Sequence, residues 1–154
     1  MARRLIGVIG SAAPTTEGYA LAFEVGCLLA ERGLDVVCGG MGGVMEAASR
    51  GCSETGGTVI GLLPSADAEG GNPFLTYVLP TNLGHARNVL IAHAASALIA
   101  VEGEYGTLSE IAVALKLDRP VIGLRSPWDI PGLKPAVDAA QAVRMLELSL
   151  EDTA

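Results

Sequence analysis

The sequence lacks the marks of several large functional classes. No apolar run is long enough to span a bilayer, and the most apolar stretch, Val89 to Val101, is interrupted by His93 and Ser96. Behind Met1-Ala2-Arg3-Arg4, the run Leu5 to Ile9 is too short for the apolar region of a signal peptide. A cytoplasmic protein with no membrane partner is therefore expected. Charge is scarce, at 18% of residues, and 17 acidic against 10 basic side chains give a net charge of −7. Such a field repels a phosphate backbone and argues against nucleic acid as the main partner. Cysteine is limited to Cys27, Cys38 and Cys52, odd in number and without a Cys-x-x-Cys pair, as expected of small core residues in a reducing compartment.

Several catalytic templates are missing as well. There is no Gly-x-x-x-x-Gly-Lys-Ser/Thr, which argues against a P-loop nucleotidase. The first strand is not followed by Gly-x-Gly-x-x-Gly, and the second ends in Cys38 where a dinucleotide fold wants an acid, so NAD is disfavoured. His85 and His93 are too far apart for a one-turn helical zinc pair and read as a surface and a packed histidine, so no metal site is expected. The only lysines, Lys116 and Lys134, lie in segments read as helix away from the glycine loops, which excludes Schiff-base chemistry with pyridoxal phosphate. Internal repeats, low-complexity tracts and interdomain linkers are also missing.

What the chain has is apolar residues and glycine. Half of its 154 residues are hydrophobic, enough for one domain over residues 1–154 with a substantial core. Short apolar runs at Leu5-Ile9, Asp35-Cys38, Thr58-Leu62, Ala97-Val101 and Val121-Leu124 read as strands, with a short addition at Tyr77-Leu79. Segments of helical period alternate with them: one spaced by Tyr19, Ala22, Phe23, Gly26 and Ala30, capped by Thr15 or Thr16 and ended at Gly33. Others are expected at Val44-Thr55, Gly84-Ala95, Thr107-Leu117 and Lys134-Leu150. Pro64-Pro73 and Ser126-Gly132 read as surface loops. The alternation predicts an α/β fold, a single doubly wound, mainly parallel Rossmann-like sheet, and the lack of polar alternation in the strands predicts helices on both faces.

Three segments follow strands at the end where open parallel sheets bind ligands. Gly10-Ser11-Ala12-Ala13-Pro14-Thr15 brings backbone amides to a helix start, or is simply a tight turn. Gly39-Gly40-Met41-Gly42-Gly43 packs four glycines into five residues directly before a helix, a density that suits close approach of an anion to backbone. The third is Glu102-Gly103-Glu104-Tyr105-Gly106-Thr107. Thr107 and Glu110 there fit a capping box, the reading that pattern alone favours for Glu110 over catalysis. Because the overall field is negative, an anionic ligand has to be held by such amides and by one or two fixed cations.

Taken together, Gly39-Gly40-Met41-Gly42-Gly43-Val44-Met45, Gly84-His85-Ala86-Arg87-Asn88 and Gly103-Glu104-Tyr105-Gly106-Thr107-Leu108-Ser109-Glu110 resemble the LOG-like family in order and spacing from Ile6 to about Leu124. That family includes the Lonely Guy phosphoribohydrolases, proteins once labelled lysine decarboxylases, and relatives of the molybdenum cofactor carrier. The resemblance implies a ligand cleft formed by Gly10, Ser11, Gly39, Gly40, Met41, Gly42, Gly43, Arg87, Asn88, Gly103, Tyr105, Gly106 and Thr107. In the hydrolases it implies release of free base from a nucleoside 5′-monophosphate, with Arg87 and Glu110 as catalytic arginine and glutamate. A carboxylate would stabilise an oxocarbenium-like ribose or orient water, and an arginine would hold phosphate or position the glutamate. The chain departs from the hydrolases where their Pro-Gly-Gly-x-Gly-Thr reads Glu102-Gly103-Glu104-Tyr105-Gly106-Thr107, and where no acidic residue precedes Arg87. Three readings follow: a binding protein for a phosphorylated, nucleotide-like ligand, such as a carrier of molybdenum cofactor or another pterin, with no further cofactor required; a phosphoribohydrolase; or an interaction scaffold. The departures favour the first. Val89, Leu90, Ile91 and Ala94 mark a helix that either joins another subunit, in a homodimer or homotetramer as is common in the family, or packs on its own sheet.

Overall fold

A computed structural model describes residues 3–152; Met1, Ala2, Thr153 and Ala154, the ends of the domain expected over 1–154, lie outside the described residues. Seven parallel strands form one sheet in the order β4-β3-β2-β1-β5-β6-β7. They are β1 (Leu5–Gly10), β2 (Asp35–Cys38), β3 (Val59–Leu63), β4 (Tyr77–Pro80), β5 (Ala97–Val101), β6 (Val121–Leu124) and β7 (Leu133–Ala136). Five helices connect or follow them: α1 (Thr16–Glu31), α2 (Val44–Glu54), α3 (Arg87–Ala94), α4 (Tyr105–Lys116) and α5 (Ala139–Asp152). The order reverses between β1 and β5, which pair in register from Ile6 with Ala97 to Gly10 with Val101.

The central strands β2, β5 and β6 are buried along their whole length, as their unbroken apolar sequences require, whereas the edge strands β4 and β7 are largely exposed. Alternate strand residues feed two cores. Ile6, Val8, Val36 and Ile99 pack with Ala22, Val25 and Leu29 of α1, Ala47 and Ala48 of α2 and Leu146 of α5. Ile9, Val37, Leu98 and Ala100 pack with Ile91 and Ala92 of α3 and Ile111 and Ala114 of α4 on the opposite face. α1 and α2 lie so close that a Cβ at Gly26 would strike the Ala48 carbonyl and one at Gly51 the Phe23 carbonyl. Thr15 caps α1, its hydroxyl accepting the Gly18 amide at 3.0 Å.

Two local expectations are corrected. Leu133–Ala136 is a strand, and the last helix begins at Ala139 rather than Lys134. Pro135 is tolerated because β7 is an edge, and only pairing with β6 extends this polar segment. The Thr107 and Glu110 capping box does not form: α4 starts two residues earlier, Glu104 is its N-cap, and no side chain caps it. The segment from Pro64 to Pro73 is a loop, but it is tethered at Asn72, which is buried.

Candidate functional site

A cavity of about 420 Å³ opens at the carboxyl end of the sheet, at the β1/β5 reversal where a doubly wound fold places its ligand crevice. That volume lies within the usual range for small-molecule sites. Its wall draws on four connections: the turn after β1 (Gly10 to Ala13), Gly39 and Met45 around the start of α2, His85, Arg87 and Asn88 at the start of α3, and Glu104, Gly106, Thr107 and Glu110 of α4. Arg87 and Glu110, distant in sequence, therefore face the same space.

Arg87 is seated deliberately. Its Nη1 donates to the Leu62 carbonyl at 2.9 Å, its Nη2 meets the Met41 sulfur at 3.9 Å, and its Nε is buried with no partner among the described residues. A Cβ on Gly39 would overlap Nη1, so glycine at that position makes the room for the guanidinium. Burial lowers the guanidinium's affinity for its proton, although the neighbouring Glu110 and Cys38 oppose that shift. An anion brought beside such a partly desolvated cation gains more than it would at the surface.

Glu110 is buried, and its carboxyl group makes no hydrogen bond or ion pair to another described residue. Burial pushes its carboxyl up to about 8, against the pull of Arg87. The site thus carries a neutral carboxylic acid near neutral pH, a hydrogen-bond donor rather than a second negative charge. The uncapped start of α4 borders the same cavity. Its first backbone bond runs from the Leu108 amide to the Glu104 carbonyl, which leaves the amides of Tyr105, Gly106 and Thr107 without intrahelical acceptors. Open amides at a helix N-terminus, an arginine and a neutral acid are all groups chemically able to donate hydrogen bonds to an anion.

The other glycine-loop residues build the site from behind. Gly40 lies against Leu63 and Gly61 of β3, its amide donating to the Cys38 sulfur at 3.3 Å. Gly43 adopts φ +67° against the backbone of Ser11 and Ala12, and Gly42 borders open space. Asn72 fixes this loop, donating to the Met41 carbonyl at 3.0 Å while its own amide reaches the Gly40 carbonyl at 2.9 Å. Gly103 turns tightly over Thr107, and Tyr105 stands 78% exposed with its ring 5.4 Å from that of Trp128. Of the residues expected to bind, Gly10, Ser11, Gly39, Arg87, Asn88, Gly106 and Thr107 line the cavity; Gly40, Met41, Gly42, Gly43, Gly103 and Tyr105 do not. His85 does line it, and both histidines are exposed, which corrects the reading of one as packed. Asn72 carried no signal in sequence, because its role is to join two loops, reaching Met41 across 31 positions of the chain.

The two carboxylates that replace proline and glycine in the hydrolases' motif part company. Glu104 sits on the cavity rim, whereas Glu102 is not on the wall and turns to α1, where it accepts the Thr15 amide at 2.9 Å and the Thr15 hydroxyl at 2.6 Å. Its backbone is left-handed, at φ +53°. Proline is fixed near φ −65°, so the hydrolases' motif cannot adopt this loop conformation at that residue.

The sequence profile of the SLOG cluster4 family matches residues 3–149, almost the whole fold just described. The chain belongs to that family. Within reach of this SLOG chain by sequence is an uncharacterized protein of Archaeoglobus fulgidus, 44% identical over 138 residues that make up 90% of this chain and 91% of the relative. The cytokinin riboside 5′-monophosphate phosphoribohydrolase LOG of Oryza sativa is 36% identical over 114 residues, 71% of this chain but only 47% of the rice protein's length. Among solved structures, the molybdenum cofactor carrier protein of Chlamydomonas reinhardtii superposes with a TM-score of 0.88 at 31% identity, covering 97% of this chain and 99% of that one. The chain is thus a divergent LOG-like relative, and the expected α/β Rossmann-like fold holds, with every sheet pairing parallel. Among the described residues no helix is long and apolar enough to cross a membrane, and no cluster of metal-ligating side chains occurs.

Proposed function

We propose that residues 1–154 act as one ligand-binding domain that holds a phosphorylated, nucleotide-like molecule, in the manner of a cofactor carrier. The observation that carries this reading is the meeting of the uncapped α4 N-terminus with the half-buried Arg87 in the switch-point cavity. Phosphate would take the α4 amides, and the orphaned Nε of Arg87 marks the cation's side of the site. Asn88, His85 and the Glu104 carboxylate supply donors and acceptors around the rest of the ligand.

The residues fit the phosphate and polar ring of a pterin such as molybdenum cofactor. They offer nothing to the metal itself: no thiol lines the cavity, and Cys38, outside its wall, is a buried thiol whose proton is held by desolvation despite its hydrogen bonds with the Ser49 hydroxyl and the Gly40 amide. A carried metal would be cargo held through its organic part.

The second reading, N-glycosidic hydrolysis of a nucleoside 5′-monophosphate, is favoured by the placement of Arg87 and Glu110 on one cavity. Against it stand the protonated state of Glu110 and the left-handed Glu102, since a neutral acid cannot balance developing positive charge on ribose. Calorimetric titration with a pterin phosphate and a panel of nucleoside 5′-monophosphates, with chromatography for free base, separates the two. Tight binding without base release, lost in Arg87→Ala, is the expected result; base release abolished by both Arg87→Ala and Glu110→Ala would establish the hydrolase instead.

The exposed Leu83, Val89 and Leu90 around the start of α3 support a homodimer or homotetramer, in which this helix would be shared between subunits. Ile91 and Ala92 of the same helix are committed to the monomer's own core.

A further inference from the structure

Glu102 lies outside the cavity wall at the centre of a side-chain network that neither candidate function uses. Three donors converge on its carboxylate: the Thr15 amide, the Thr15 hydroxyl, and Arg125 Nε at 3.1 Å from the end of β6. The fit is tight, since a Cβ at Gly18 in the first turn of α1 would overlap Oε1. Two non-glycine residues, Glu102 and Arg125, adopt left-handed backbones at φ +53° and +50° to make the pair. Strain of this kind persists only where surrounding contacts hold it. The carboxylate therefore occupies the N-terminus of α1, the place in a doubly wound fold where backbone amides otherwise meet a ligand anion.

The cavity wall runs from the α4 amides across Gly10 to Ala13 toward this same end of α1. An anion on the α4 amides meets open donors. A second anion, linked to the first and extending toward α1, would meet the Thr15 amide already bonded to Glu102, and a fixed negative charge. Resting on the reading of the cavity as a phosphate site, we propose that Glu102, clasped by Thr15 and Arg125, is the specificity residue that limits the ligand to a single phosphate and rejects pyrophosphate-bearing analogues.

The charge is present at working pH. Burial opposes it, but the Thr15 hydroxyl and amide and the Arg125 guanidinium outweigh burial and hold the carboxyl below the ordinary glutamate range. Arg125, 48% exposed, offsets the charge only in part. The two partners should thus act in opposite directions on selectivity, although losing either one loosens the same clasp.

The test compares dissociation constants for AMP and ADP, and for inorganic phosphate and pyrophosphate, in the wild type, Glu102→Gln and Arg125→Gln. The wild type is expected to prefer each single-phosphate probe. Glu102→Gln should narrow that preference by about tenfold, the order expected for removing one charge several ångströms from the second phosphate at a protein surface, and Arg125→Gln should widen it. If the preference is unchanged in both variants, or both shift it the same way while weakening every probe, Glu102 is only a structural tether and the proposal is overturned. If no phosphate probe binds the wild type while circular dichroism shows it folded, the phosphate-site reading falls and this inference falls with it.

Discussion

Replacing Glu110 with glutamine should change how stability depends on pH more than it changes stability at any one pH. In the folded protein, burial holds the Glu110 carboxyl at about 8, against a reference value of 4.5. Between those values the native state keeps a proton that the unfolded chain has released, so stability is greatest below the lower value and is lost as pH rises toward the upper one. Each unit of pH in that window costs about 1.4 kcal/mol, or about 3 kcal/mol between about pH 5 and about pH 7.5. Glu110→Gln keeps the shape and cannot ionise. Urea denaturation of both proteins across the window, read by far-UV circular dichroism, should show the wild type losing this increment relative to the variant, with other titrating groups cancelling in the difference. Parallel curves would mean that Glu110 ionises normally, that water reaches it freely, and that the neutral-acid picture of the cavity is wrong. The same picture predicts that affinity for a phosphate ligand falls as pH rises through about 8, because the site then gains a negative charge beside the anion.

Gly39→Ala should leave the fold intact, because the group it displaces is the flexible end of Arg87. Affinity for AMP in a calorimetric titration should drop about tenfold, since one charge-assisted contact of about 1.5 kcal/mol is lost. Gly26→Ala should act oppositely, sparing the site and costing about 1–3 kcal/mol in chemical denaturation, because its Cβ meets the rigid Ala48 backbone and must part α1 from α2. Leu90→Asp, on the exposed side of α3, should abolish the proposed self-association in analytical ultracentrifugation at micromolar concentration; a wild type already monomeric there would remove the interface from α3.

Much of this was legible in the chain. Apolar runs without polar alternation predicted β1, β2, β5 and β6 as buried parallel strands, and glycine density after β2 predicted a close backbone approach, because both signals are local consequences of burial and sterics. The motif order gave the family and brought Arg87 and Glu110 to attention. Local pattern misled where the deciding partner lay elsewhere. Thr107 and Glu110 fit a capping box, yet packing of α4 on the sheet moved its start to Tyr105 and buried both residues. Lys134 and Pro135 joined a helical stretch on paper, but the free edge of β6 drew them into a strand.

Sequence alone determined the alternation of strands and helices, the glycine turns that close them, and which residues are chemically able to meet an anion, since each of these follows from nearest-neighbour conformational preference and hydrophobic period. Tertiary structure decided which of those residues share a cavity, that Glu110 keeps its proton, that Asn72 tethers the glycine loop, and that Glu102 turns to α1 while Glu104 lines the cavity. Ionisation and orientation depend on the dielectric and the partners that surround a side chain, and the fold draws those partners from parts of the chain far apart in sequence.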